Sequence, residues 1–112
     1  MKKFLFIDDN AELLESLQRC FTDNPNVMFA ECHSVEEALQ VIRKCKPDVI
    51  FLDHELTERG NEGLEIADSV QGIKIYSTTA RSDLEPKYEK RGIERLGKPF
   101  DLAKLRFIIE SQ

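Results

Sequence analysis

At 112 residues the chain has room for one compact domain with a modest core, which excludes enzymes built from separate cofactor and substrate domains. Apolar residues make up 41% and charged residues 33%, the balance of an ordinary globular protein rather than a disordered or fibrous one. Lys and Arg number 16 against 21 Asp and Glu, and the formal charge of −5 opposes attraction to nucleic acid or to an anionic membrane surface.

Short apolar runs alternate with segments of helical periodicity. No Gly, Ser or Pro-rich linker and no internal repeat divides them, so residues 1–112 read as a single α/β domain of βα repeats. Phe4 to Ile7 is continuously apolar and ends in Asp8-Asp9-Asn10, as expected of a strand buried on both faces of a parallel sheet. Lys2 and Lys3 before this run look like the opening of a secretory signal, but the two aspartates interrupt it too early. No run of about 18 apolar residues follows that could span a bilayer, so a cytoplasmic protein is expected. Leu13, Leu14, Leu17, Cys20 and Phe21 then recur at helical spacing, and the pattern stops before Asp23-Asn24-Pro25.

Val27 to Cys32 reads as a second strand, placed nearer the sheet edge by Glu31. Ser34 opens the next helix with a capping box: its hydroxyl can accept from the Glu37 amide while the Glu37 carboxylate reaches back. Val35, Ala38, Leu39, Val41 and Ile42 form the buried stripe of that helix. After Pro47, the apolar strand Val49 to Leu52 delivers Asp53 at its carboxyl end. His54 to Glu62 is a loop, Leu64, Ile66, Ala67 and Val70 mark a helix that Gly72 caps, and Ile73 to Thr78 is a fourth strand. Ser82 and Glu85 have the spacing of a second capping box, ahead of a short polar helix around Pro86 to Arg91. Gly92 to Leu96 gives a weak fifth strand of edge character. Asp101 caps a last helix, Phe100 is placed to staple against Leu105, and Leu102, Leu105, Ile108 and Ile109 face the core. Cys20, Cys32 and Cys45 are odd in number and lack C-x-x-C spacing, so they are expected to be reduced, partly buried thiols rather than disulfides or zinc ligands.

In such a sheet the carboxyl ends of all strands lie on one edge, where ligands bind. Asp8, Asp9, Asp53, Thr79 and Lys98 all follow strand ends. Taken singly, each has an ordinary reading: Asp-Asp-Asn as a helix cap, Asp53 as turn chemistry, Thr79 as a strand-end hydroxyl, Lys98 as a solvated cation. Their joint order and spacing resembles a bacterial response-regulator receiver domain over essentially the whole chain. The matching features are Asp8-Asp9, Asp53, Thr79-Ala80 and Lys98-Pro99-Phe100.

That resemblance implies a flavodoxin-like, doubly wound, five-stranded parallel sheet. It implies that Asp8, Asp9, Asp53 and the backbone carbonyl of Glu55 hold Mg2+, an ion suited to an all-oxygen shell. Asp53 would accept a phosphoryl group, while Lys98 and Thr79 would contact its oxygens. The partners implied are a sensor histidine kinase or histidine phosphotransfer protein and a downstream target of unstated identity, with a dimer left open. The protein would catalyse its own phosphorylation and dephosphorylation without being a turnover enzyme. With no room for an output domain after Leu102, a stand-alone receiver or an excised domain is expected. In the family the peptide matching Lys98-Pro99 is cis, which the sequence permits.

Three departures stand out. The Met-Pro pair common soon after the phosphoacceptor is missing from residues 54–63, and the matching Gly63 comes two residues late. Arg95 stands where many family members have an aromatic residue, which puts an aromatic-threonine relay in doubt. Glu55 and Arg81 match positions that flank the site mouth in receivers, so the resemblance implies either a charge pair that gates attacking water or two independently solvated side chains. His54 and His33 have no Cys or second His at ligand spacing, and His54 is expected to pack or face solvent rather than catalyse. Two other functions compete: a receiver-fold interaction module working without phosphorylation, and an aspartyl phosphohydrolase. The second lacks its signature, because Asp8 is followed by Asp9-Asn10-Ala11 without the required acid/base carboxylate.

Overall fold

The computed structural model describes residues 1–111. Five parallel strands, β1 (Phe4–Asp8), β2 (Val27–Glu31), β3 (Val49–Leu52), β4 (Lys74–Ser77) and β5 (Glu94–Arg95), form one sheet in the order β2-β1-β3-β4-β5. Five helices alternate with them: α1 (Ala11–Cys20), α2 (Val35–Cys45), α3 (Glu62–Ser69), α4 (Glu85–Glu89) and α5 (Leu102–Glu110). Strand side chains alternate between two cores. Leu5 and Ile7 of β1 pack with Ala38, Ile42, Ile66 and Tyr88 on one face, while Phe4 and Phe6 pack with Leu14, Leu17, Leu105 and Ile109 on the other. The strand order reverses between β1 and β3, and that reversal opens a crevice at their carboxyl ends.

An aromatic ladder on the second face sets the strand register. Phe29, Phe6, Phe51 and Tyr76 occupy paired positions on β2, β1, β3 and β4, with ring centroids 5.3, 4.4 and 5.5 Å apart in that order. Each such pair contributes roughly 0.5–1.5 kcal/mol beyond its area burial. A one-residue slip would break every contact and turn the apolar set to the wrong face. The ladder therefore fixes which residue ends each strand, and so places Asp8 and Asp53 side by side.

Both clear caps form. Ser34 accepts from the Glu37 amide at 3.1 Å, although the Glu37 carboxylate takes the His33 amide at 3.0 Å rather than that of Ser34. Asp101 accepts from Ala103 and Lys104 at the start of α5, where Phe100 packs into the cluster that holds Leu105. Several sequence expectations are corrected. Leu102 does not face the core: it sits in the first turn of α5 and is exposed. Ser82 and Glu85 make no capping box, because the chain enters α4 through a 3-10 turn over Ser82–Leu84 without a side-chain cap. Helix α3 begins at Glu62, two residues before its first apolar position. It ends at Ser69 with Val70 as its extended C-cap, and Gly72, with φ +75°, serves the turn into β4 instead. The three cysteines are free, with Cys32 buried. No helix among the described residues is long and apolar enough to cross a membrane.

Candidate functional site

At the crevice, the Asp8, Asp9 and Asp53 carboxylates each offer an oxygen, and these atoms lie within 4.8 Å of one another. β1 ends in Asp8, held by an amide hydrogen bond from Asn10 at 3.0 Å, and Asp9 stands more open beside it. Asp53 follows β3, its amide donating to the Ile7 carbonyl at 3.0 Å, so the backbone ladder itself delivers it next to Asp8. Lys98 Nζ closes the floor, donating to Asp8 Oδ2 at 2.8 Å and to Asp53 Oδ1 at 3.2 Å. The Lys98-Pro99 peptide is cis.

Burial and the neighbouring Asp8 charge push the Asp53 carboxyl up to about 7 despite the opposing pull of Lys98. Burial, a hydrogen bond with Asp8 and the Asp8 charge likewise raise Asp9. Burial disfavours the Lys98 ammonium, but its bonds to Asp8 and Asp53 outweigh this and hold its pKa above the usual lysine value. One cation thus serves several crowded carboxylates and leaves negative charge unbalanced. An all-oxygen donor set of this kind fits a small hard cation such as Mg2+.

The site opens into a cleft of about 640 Å³ lined by Asp9, Glu55, Thr57, Thr79, Arg81 and Lys98 among others. Thr79 is buried at its wall, its hydroxyl accepting from the Arg81 amide at 3.1 Å. The expected Glu55–Arg81 pair forms at the mouth, at 3.0 Å, and Arg81 also reaches Asp83 at 2.9 Å. All the residues singled out from sequence therefore converge, with the Glu55 side chain turned to Arg81.

A family model for the response regulator receiver domain matches residues 4–110. The chain belongs to that family. Among curated relatives, the sensory transduction protein LytT of Bacillus anthracis is 29% identical over 107 residues, covering 90% of this chain and 43% of LytT. Sporulation initiation phosphotransferase F of Bacillus subtilis is 26% identical over 112 residues, covering 94% of this chain and 88% of that protein. The chain spans less than half the length of the LytT relatives it matches. Among solved structures, the N-terminal domain of an uncharacterized protein from Wolinella succinogenes superposes with a TM-score of 0.83 at 24% identity, over 99% of this chain and 93% of that one. A CheY-like receiver domain from Methylobacillus flagellatus gives 0.77 at 19% identity, over 99% and 98%. These two likenesses bear on the fold.

Around the cleft, the residues singled out in the 54–63 loop and at Arg95 have defined partners. Glu62, fully buried, organises the loop that lacks Met-Pro. Its carboxylate accepts from the Leu56 amide at 3.0 Å, the Thr57 amide at 3.3 Å and the Thr57 hydroxyl at 2.6 Å, with Arg59 Nε at 3.3 Å. Burial works against the charge, yet these donors prevail and hold Glu62 below its ordinary pKa. Sequence reasoning left Glu62 as a loop residue, since no spacing rule marks a carboxylate whose partners are the amides of a turn. Gly63 sits where only hydrogen fits: a Cβ there would lie 2.5 Å from the Tyr88 hydroxyl, 2.7 Å from the Asp53 carbonyl and 2.7 Å from His54 Cα. Arg95 donates to the Thr79 carbonyl at 3.1 Å. His54 packs inward, as one of its two expected placements, and contacts Tyr88.

Proposed function

We propose that the chain is the phosphoacceptor receiver of a two-component or phosphorelay system, with Asp53 as the acceptor. The observation that carries this reading is Lys98 Nζ bridging Asp8 and Asp53 while the Asp53 pKa remains near 7. Asp53 is the carboxylate in which burial, crowding and incomplete neutralisation meet at an open cleft. Asp8, Asp9 and Asp53, with the Glu55 backbone carbonyl, would hold Mg2+. When bound, that ion supplies charge neutralisation for the carboxylates and for the phosphoryl oxygens.

In the reaction, an ionised Asp53 oxygen attacks phosphorus, the bond to the donor's imidazole nitrogen breaks, and that nitrogen keeps the electron pair. A P–O bond of an acyl phosphate replaces the P–N bond. Lys98 balances charge on one phosphoryl oxygen and the Thr79 hydroxyl donates to another. Both contacts favour the phosphorylated state over the empty one, and such a difference is required to shift a conformational population. The donor is a sensor histidine kinase or a histidine phosphotransfer protein, and the phosphorylated form binds a downstream target. Residues 1–112 act as one receiver unit whose output is carried elsewhere, in a partner or in a longer chain.

The test is incubation with Mg2+ and acetyl phosphate, phosphoramidate or a phosphohistidine protein, followed by intact mass. The expected result is one added phosphoryl group, absent in Asp53→Ala. An unchanged mass with every donor would favour an interaction module working without phosphorylation.

A further inference from the structure

Glu62 is a buried carboxylate to which the phosphoryl chemistry assigns no part. It is the first residue of α3 and is inaccessible to solvent. An ionised group taken out of water is unfavourable unless its oxygens are fully hydrogen-bonded. The turn it faces closes without it: the Gly60 amide donates to the Thr57 carbonyl at 3.3 Å and the Arg59 amide to the Thr57 hydroxyl at 3.0 Å. What Glu62 holds in addition is the short stretch between Asp53 and that turn.

The Leu56 N–H and the Glu55 C=O belong to one peptide group. A planar trans peptide points these two bonds in opposite directions, and Lys98-Pro99 is the cis peptide of the described residues. Glu62 Oε1 accepts from the Leu56 amide at 3.0 Å and from the Thr57 amide at 3.3 Å, which draws both N–H bonds toward the buried side. The Glu55 carbonyl is thereby turned away from Glu62, to the side where Glu55, Leu56 and Thr57 line the cleft beside Asp53. The carbonyls around it are occupied, that of His54 by the Gly63 amide at 2.8 Å and that of Thr57 by Gly60. No donor among the described residues reaches the Glu55 carbonyl itself. Two anchors keep the arrangement in place. The Leu56 side chain is buried in the same core as Ile66, and Glu62 Oε2 takes the Thr57 hydroxyl at 2.6 Å and faces Arg59 Nε at 3.3 Å.

We propose that Glu62 is a positioning residue for the metal: by accepting from the Leu56 amide it fixes the Glu55–Leu56 peptide with the Glu55 carbonyl turned to the acidic cluster. This rests on the reading that Asp8, Asp9, Asp53 and that carbonyl hold Mg2+. A ligand oxygen aimed before the ion arrives needs no reordering when it binds. The requirement is for an acceptor oxygen at this place, and the negative charge serves the stability of the loop.

Two variants separate those roles. Glu62→Gln keeps an oxygen for the Leu56 amide and offers its NH2 to the Thr57 hydroxyl, whereas Glu62→Met has similar length and no oxygen. The experiment is a Mg2+ titration at pH 8 read by carbon-13 NMR at the Asp53 carboxyl and the Glu55 backbone carbonyl. In the wild type both signals should move with one midpoint. Glu62→Gln should bind within about twofold of wild type, because a neutral oxygen still accepts from the amide. Glu62→Met should bind about tenfold more weakly, as loss of an outer-shell partner does, with a diminished shift at the Glu55 carbonyl. Wild-type affinity in Glu62→Met, or an equal loss in both variants, would overturn the proposal. Should Glu62→Met fail to fold, hydrogen exchange of the wild type decides: the Leu56 amide should be as protected without metal as with it, and free exchange in the metal-free protein would overturn the proposal. A wild-type Asp53 carboxyl indifferent to Mg2+ would overturn the metal reading and this inference with it, whereas an Asp53 response without one at the Glu55 carbonyl would overturn this inference alone.

Discussion

Two buried carboxylates nine positions apart behave in opposite ways. Asp53 is pushed up to about 7, whereas Glu62 is held below its ordinary value. Burial acts against ionisation at both, so the difference lies in their partners. Glu62 accepts from two amides and a hydroxyl and has Arg59 alongside, all supplied by its own loop. Asp53 meets one shared ammonium and the like charge of Asp8. A buried charge that is fully partnered holds structure in place. One left short of partners is a place for chemistry, because a cation or a phosphoryl group can still improve it.

The sharpest way to break this contrast is to neutralise each carboxylate without changing its shape. Glu62→Gln should destabilise the fold by about 2 kcal/mol through loss of charge-assisted hydrogen bonds, or ~10 °C in Tm for a domain of this size. Asp53→Asn should leave Tm unchanged or raise it in metal-free buffer at pH 8, because it relieves crowding. Calorimetry of both variants decides the matter, and a similar loss in each would erase the distinction.

The same contrast predicts a pH dependence with opposite signs. The folded-state pKa of Asp53 lies above the unfolded value of 3.8, so its protonated form stabilises the fold at low pH and that contribution is lost as pH rises from about 4 to about 7. Glu62 is depressed, so its contribution is present above the unfolded value of 4.5 and is lost as pH falls below it. Metal-free thermal melts should therefore show Tm declining toward pH 8 as well as in acid. Magnesium should restore Tm more at pH 8 than at pH 5, since it binds the ionised site. An equal magnesium effect at both pH values would contradict this.

The chain makes the floor of the site legible and its wall opaque. Asp8 and Asp53 could be placed from residues because continuous apolar runs mark strands buried on both faces, and a parallel sheet puts their carboxyl ends together. The Glu55–Arg81 pair came instead from the resemblance to receivers, in which the matching positions flank the site mouth. Glu62 could not be placed, because its partners depend on the path of a turn. His54 and Tyr88 are 34 positions apart and follow no periodicity. Two of the false signals share a cause: Ser82–Glu85 and Leu102 have the right spacing, but spacing specifies neither how the chain enters a helix nor whether its first turn reaches the core.

The smallest expected effect lies at the mouth. Glu55 and Arg81 are an exposed pair screened by solvent, so Glu55→Arg or Arg81→Glu should alter the lifetime of phospho-Asp53 by about fivefold or less, with Tm nearly unchanged. Phosphate release timed for both reversals checks this, and unchanged hydrolysis in each would reject a gate.

The central claim, that Asp53 is under-partnered and Glu62 is not, is tested most directly by carboxyl carbon-13 NMR titration of both side chains in one sample. Without metal, Asp53 should titrate near 7 and Glu62 below 4.5, and saturating magnesium should move the Asp53 midpoint down while leaving Glu62 in place. An Asp53 midpoint near 3.8 without metal, or one indifferent to magnesium, would contradict the account.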